Sequence, residues 1–226
     1  MCGRYTLTSP DELLHEFGFG ELPFDLKPRY NIAPTQEAPV VVSEDGGTKL
    51  RLFRWGLVPA WSKDTKSAAK MINARSESVD QKPSFRDAFA RRRCLVCCDG
   101  FYEWKREGRS RLPHYFRRDD GRPFAMAGIW ESYSPPEGDV LHTFSVLTTE
   151  ASDLMQPIHH RMPVLVAADD YQRWLDPAIR ERAPLEDLLR PTSEGLVMSQ
   201  VSELVNSVRN DSEACLRPGP DQQSLF

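Results

Sequence analysis

Apolar and polar positions along this chain alternate in short runs that are cut by turn residues. Period-two alternation over four to eight residues reads as half-buried strand. The first such run covers residues 4–8. Ser9-Pro10-Asp11-Glu12 then has the chemistry of a helix start, with Leu13, Leu14 and Phe17 as the apolar face and Gly18 as the stop. Strands over 40–43 and 50–55 flank Asp45-Gly46-Gly47, a hairpin signal. Phe85, Ala88 and Phe89 sit at helical spacing, and Arg91-Arg92-Arg93 would close that helix with favourable charge. Strands follow over 94–98, 101–105 and 114–118, with Gly108 turning the second into the third. Asp120-Gly121 predicts another hairpin before a strand over 124–130. Further strands are expected over 143–148, 164–167 and 196–201, and helices over 169–175 and 184–189. Many short strands with interspersed helices predict an α+β fold: a single domain around an antiparallel, barrel-like β-sheet with flanking helices. The domain is expected over 1–210. The polar, Pro- and Gly-containing residues 211–226 are expected to be a disordered tail.

Composition narrows the class. The 226 residues suffice for a buried core, and 27% charged with 40% hydrophobic residues is ordinary for a water-soluble chain. No apolar run approaches the roughly 20 residues of a membrane span, so no membrane partner is expected. No basic-then-apolar leader opens the chain, and the five cysteines form no regular framework; both predict a reducing cytoplasmic location. The net charge of −4 is unevenly spread. Residues 1–122 carry 22 Lys/Arg against 17 Asp/Glu, a net of +5, while residues 123–226 carry 7 against 16, a net of −9. A basic surface on the N-terminal part would suit a polyanion; charges spread over solvated faces would give the same count.

The start of the chain carries the most unusual chemistry. If Met1 is removed, Cys2 bears an α-amine and a thiol on adjacent carbons. The amine condenses with an aldehyde to an imine, and the thiol closes on the imine carbon to give a thiazolidine. These groups ordinarily titrate at roughly 7.7–8.0 and about 8.5, so both are accessible near neutral pH. A cysteine after the start methionine is otherwise unremarkable. Asp99-Gly100-Phe101-Tyr102-Glu103-Trp104-Lys105 is the most informative internal stretch. In a strand Tyr102 and Trp104 share one face, and Asp99, Phe101, Glu103 and Lys105 the other. A carboxyl group between bulky rings loses water, which suits a proton shuttle; the alternative is a solvated surface strand. His159-His160-Arg161-Met162-Pro163 precedes an apolar strand, where a histidine is a candidate general acid or base, or a plain loop residue. Asn73 and Arg75 would share a face, able to orient an amine and hold a phosphate. Trp55, Trp61 and Phe85 lie near basic residues, as in proteins that stack single-stranded bases on rings, although core packing is the commoner fate. Cys94, Cys97 and Cys98 lack a second ligand pair for a metal and read as small hydrophobes in a buried strand. No metal and no cofactor is expected.

Together these residues resemble the SOS response-associated peptidase (SRAP) family, whose members protect abasic sites. Six segments carry the resemblance, in the family's order: Met1-Cys2-Gly3-Arg4, Arg29-Tyr30-Asn31-Ile32-Ala33-Pro34, Trp55-Gly56-Leu57-Val58-Pro59, Ile72-Asn73-Ala74-Arg75, Asp99 to Trp104, and Ile158 to Pro163. The region after Val166 carries little of it. The resemblance implies a thiazolidine between Cys2 and the ring-opened aldehyde of an abasic site in single-stranded DNA. It implies that Asn73 positions the amine, that Glu103 shuttles protons and that His159 assists. The doubled His159-His160 departs from the family's single histidine and leaves His160 as an alternative. Arg4, Arg75 and Arg161 become candidates for phosphate contacts, and Trp61 and Phe85 for wedging or stacking against bases. The expected partner is abasic single-stranded DNA, met by a monomer that joins the nucleoid on damaged DNA. Taken literally, the family's name offers a rival: a cysteine peptidase with Cys2 as nucleophile and His159 as base, or one that only removes its own Met1.

Overall fold

The computed structural model describes residues 2–219. Its strands in chain order are β1 (Arg4–Leu7), β2 (Arg29–Ile32), β3 (Glu37–Glu44), β4 (Gly47–Trp55), β5 (Asn73–Arg75), β6 (Arg93–Cys98) and β7 (Gly100–Glu107). They continue as β8 (Ser110–Arg118), β9 (Phe124–Tyr133), β10 (Leu141–Glu150), β11 (Arg161–Pro163), β12 (Leu165–Val166) and β13 (Leu196–Gln200). Helices α1 (Leu13–Phe17), α2 (Arg86–Arg91) and α3 (Tyr171–Leu175) are short and packed on the outside. The α+β, sheet-dominated single domain expected above is the one observed.

The larger sheet closes on itself. β4 pairs with β3, β3 with β6, β6 with β9, β9 with β10, and β10 returns to β4. All six residues of β6 are buried, because this strand has sheet neighbours on both edges and packed side chains on both faces. The β3–β4 hairpin forms where Asp45-Gly46-Gly47 predicts it, with Asp45 and Gly46 both at positive φ as a two-residue hairpin turn requires. The ring departs from the expected antiparallel pattern along β10, which runs parallel to β4 and then, farther along the same edge, to β5. Residues 56–72 form a long excursion between β4 and β5, after which the chain rejoins the same edge of β10.

The smaller sheet has the order β13-β8-β7-β1-β2. One face adds Tyr5, Leu7, Phe101 and Phe116 to the main core, the two phenylalanine rings stacking at 5.1 Å. The opposite face carries Tyr102 and Tyr115 and is covered by Val201, Val205 and Cys215. This covering segment is a loop whose neck is closed by the Val201–Pro218 bridge. The Tyr115 ring lies so close over Gly100 that a Cβ there would sit 2.2 Å from it. Gly100 is therefore needed for close approach.

Three expectations are corrected. Asp120-Gly121 does not form a hairpin: β8 and β9 belong to different sheets, and the turn carries the chain from one to the other. Arg93 is no helix terminus but a buried donor to the carbonyls of Phe89, Trp174 and Asp176. Residues 211–219 are not a loose tail, since Cys215 is fully buried and the Asp211 carboxylate accepts from the backbone N–H groups of Tyr30 and Asn31. Expectations for Met1 and for residues 220–226 fall outside the described residues.

Candidate active site

The site forms where β1 begins. β1 pairs with β7 from Arg4, opposite Tyr102, to Thr6, opposite Gly100. Before Arg4 this pairing is absent, so the β7 edge from Glu103 onward borders a cleft instead of a strand. Cys2 and Gly3 approach that open edge.

Cys2 is fully buried. Its Sγ lies 4.0 Å from the thioether of Met126, on the apolar side. Burial pushes the thiol up to about 12, and the negative charge of nearby Glu103 adds to the rise. The thiol is thus fully protonated at neutral pH. On the polar side Asn73 Nδ2 donates to the Cys2 carbonyl at 2.8 Å. Asn73 Oδ1 is buried and has no hydrogen-bond partner among the described residues, so the structure holds an acceptor beside Cys2 that the fold itself does not use.

Glu103 is 5% exposed. It shares the Phe101 side of β7, as the strand period predicts, and accepts the Trp104 backbone N–H at 3.3 Å. His159 stands across the cleft. Burial pushes its imidazole below the ordinary range, against the opposing pull of the Glu103 carboxylate. Its Nδ1 lies 3.0 Å from the Arg161 backbone nitrogen and 3.2 Å from the Arg161 carbonyl oxygen, so the backbone of Arg161 holds the ring in place. Cys2 and His159 both feel the Glu103 charge, so three of the four candidate catalytic groups share one electrostatic neighbourhood, and the fourth, Asn73, is bonded to Cys2.

The cleft has a volume of about 840 Å³ and is lined by Arg75, Glu103, Lys105, Arg106, Arg111 and His159, among others. His160 also lines it, with its ring stacked on His159 at 4.3 Å. Reading the sequence missed Lys105, Arg106 and Arg111. Their signal was a run of basic residues on the β7–β8 hairpin, whose edge position only the tertiary pairing reveals. A smaller cleft of about 450 Å³ adjoins it through Trp104 and Arg111, and Gly3, Arg4 and Asn206 complete its lining.

The proposed phosphate and base contacts divide. Arg75 is exposed in the cleft. Arg4 is half-buried, with Nη1 committed to Asn31 and to the Val205 carbonyl, while its guanidinium lies 5.9 Å over the Trp104 ring. Arg161 is a correction. It is buried and held by both oxygens of Glu77 and by the Thr148 carbonyl, so its charge is spent within the fold. Trp61 is 67% exposed on the 56–72 loop, whereas Phe85 is half-buried and packed against the core. Neither is among the cleft-lining residues. Among the described residues no cluster of three or more His, Cys, Asp or Glu is arranged to hold a metal ion, and no helix is long and apolar enough to cross a membrane.

The profile of the SOS response associated peptidase (SRAP) family matches residues 1–208. The chain belongs to the SRAP family. It is 39% identical over 217 residues to the Bacillus subtilis abasic site processing protein YoqW, covering 94% of this chain and 97% of that one. The chicken abasic site processing protein HMCES is 34% identical, covering 85% of this chain and 66% of HMCES. Among solved structures, a Bacteroides thetaiotaomicron protein superposes with a TM-score of 0.85 at 25% identity, over 96% of this chain and all of its own. A phage-related Bordetella bronchiseptica protein gives 0.71 at 26% identity, over 88% and 94% of the two chains. The family match spans the candidate site, since Cys2, Asn73, Glu103 and His159 all lie within residues 1–208.

Proposed function

We propose that this SRAP protein processes abasic sites by forming a covalent adduct with them in single-stranded DNA. Once Met1 is removed, the Cys2 amine adds to the aldehyde of the ring-opened sugar. Water leaves, an imine forms, and the Cys2 S–H adds across the C=N bond. Sulfur bonds to carbon, the thiol proton passes to nitrogen, and the product is a thiazolidine. Asn73 Oδ1 is the acceptor that would hold the amine, and Glu103 delivers the proton to the departing hydroxyl and to the sugar ring oxygen. Neutral His159 assists this transfer.

The carrying observation is the environment of Cys2: its carbonyl is gripped by Asn73, whose Oδ1 has no other use among the described residues, and it lies within the field of Glu103. The name of these relatives, abasic site processing protein, agrees. A buried thiol at about 12 speaks against a thiolate peptidase nucleophile, which needs a lowered value. Removal of Met1 by the protein itself remains part of the reading, with Glu103 as base. The acting unit is a monomer, cytoplasmic and recruited to the nucleoid by its substrate.

The test is intact mass of the purified protein, alone and after incubation with an abasic oligonucleotide. A first mass lacking Met1, then a mass increased by the strand less one water and stable to denaturation, supports the reading. Absence of any adduct on protein that lacks Met1 overturns it.

A further inference from the structure

We propose that Asn31 is a positioning residue for the Cys2 reaction, acting by clamping the C-terminal loop of residues 201–218 onto the strand that carries Cys2. The proposal rests on the crosslinking reading above.

Asn31 lies in β2 and is fully buried. Its Nδ2 faces three carbonyls of the C-terminal loop, those of Val205 at 3.3 Å, Ser207 at 3.0 Å and Asn210 at 2.7 Å. An amide has two N–H groups, so these carbonyls share them. Its Oδ1 accepts from Arg4 Nη1 at 3.1 Å, and the same Nη1 donates to the Val205 carbonyl at 2.8 Å. One amide thereby joins β2, β1 and the loop. Asp211 fixes the loop from the other side by accepting the N–H groups of Tyr30 at 2.6 Å and Asn31 at 2.9 Å. Trp104 Nε1 donates to Asn206 Oδ1 at 2.6 Å, which ties β7 to the same loop.

Arg4 is the first residue of β1 paired with β7, and only Gly3 separates it from Cys2. Without a side chain, Gly3 restrains nothing. Backbone pairing of Arg4 with Tyr102 and the contact of Cys2 Sγ with Met126 fix this segment coarsely, and two polar anchors refine the approach of Cys2 to Glu103: the Asn73 bond to the Cys2 carbonyl, and second the hold on the Arg4 side chain. Asn31 supplies the second. A displacement of about 1 Å at a reacting group can cost about 100-fold in rate. Part of the clamp, Asn210 and Asp211, lies beyond the stretch matched by the family profile.

The test compares Asn31→Ala, Arg4→Ala, their double variant, Asp211→Ala and Asp211→Asn with the natural protein. Asp211 lines neither cleft; besides tying the loop to the β2 backbone it pairs with the Arg29 guanidinium. Single-turnover formation of the stable adduct is measured at saturating abasic strand, on protein shown to be folded by near-UV circular dichroism. Affinity for an unreactive strand is measured separately. Asn31→Ala is expected to slow the reaction about 10- to 100-fold with affinity within about twofold. Asp211→Ala should slow it less, and Asp211→Asn, which keeps an acceptor oxygen, should restore most of the rate. The double variant should be no slower than the slower single one, since both remove the same anchor. Natural protein that gives no adduct overturns the crosslinking reading itself. Normal crosslinking by natural protein with unchanged rates in the folded variants overturns the clamp alone. Rate and affinity falling together in the Asn31 or Asp211 variants would also overturn it, by making the loop part of the DNA surface. Should Asn31→Ala not fold, the Asp211 pair decides.

Discussion

Cys2 and the cysteines of β6 have the same burial and opposite surroundings. Cys94, Cys97 and Cys98 are fully buried, and burial raises all three thiols, as it raises Cys2. The β6 thiols sit in the middle of the sheet, in a strand paired on both edges. Cys2 sits where strand pairing stops, with Asn73 on its carbonyl and Glu103 and His159 at the same open edge. Thiol burial is therefore common to both regions. In the proposed reaction the difference lies in the position of Cys2 at the end of strand pairing, its amine once Met1 is removed, and the neighbouring Glu103.

The sharpest way to break this comparison is to exchange the roles of the two regions. Cys2→Ala should abolish the denaturation-stable adduct, leaving at most an imine that borohydride traps, whereas Cys97→Ala should crosslink at the natural rate. A Cys2→Ala protein that still forms stable adduct would sink the thiazolidine. A variant that retains Met1 should fail as completely, because its Cys2 nitrogen is an amide.

The next largest effect concerns the proton path. Glu103→Gln keeps shape but cannot exchange a proton, so single-turnover crosslinking should fall about 10²–10⁴-fold while binding to an unreactive strand holds. His159→Ala should slow the same step, and the double variant should lose less than the product of the two. Natural rates in Glu103→Gln would leave Glu103 a structural residue.

Binding comes third. Arg75→Ala should weaken binding of single strands alike whatever their sequence, and should reduce the salt slope by about 0.7. Arg161→Ala should instead lower stability, since its guanidinium is spent on Glu77 and Thr148. Equilibrium titrations at several salt concentrations separate the two outcomes.

The smallest effect is on stability against pH. The β6 thiols have raised values in the folded state, so the unfolded chain loses its thiol protons first as pH rises above about 8.5. Their contribution is complete below that value and is lost progressively above it. Urea midpoints should therefore drop between pH 7.5 and 9.5. Cys97→Ala should start lower, by about 1 kcal/mol, and show a shallower drop. An unchanged slope would mean that another group governs the alkaline limb.

Local pattern made much of this molecule legible. Alternation placed the strands because a half-buried strand has a period of two. Turn chemistry placed the Asp45-Gly46 hairpin because positive φ favours those residues. Cys2, Asn73, Glu103 and His159 were readable as chemical types, since aminothiol, amide, carboxyl and imidazole keep their reactivity wherever the chain puts them. Strand pairing was not readable in the same way. The Asp120-Gly121 turn has the sequence of a hairpin, and only the packing of two sheets decides that its strands part. Arg161 and Arg75 are the same residue type in similar settings along the chain. Glu77, brought close by tertiary structure, consumes one charge, and the open cleft leaves the other exposed. The polar composition of residues 211–219 predicted disorder, but Asp211 finds the backbone of β2, 180 residues earlier in the chain. Composition and motif thus determined which groups this protein brings to its chemistry. The edge at which they meet was decided by contacts between residues far apart in sequence, whose energies appear only once the sheets have formed.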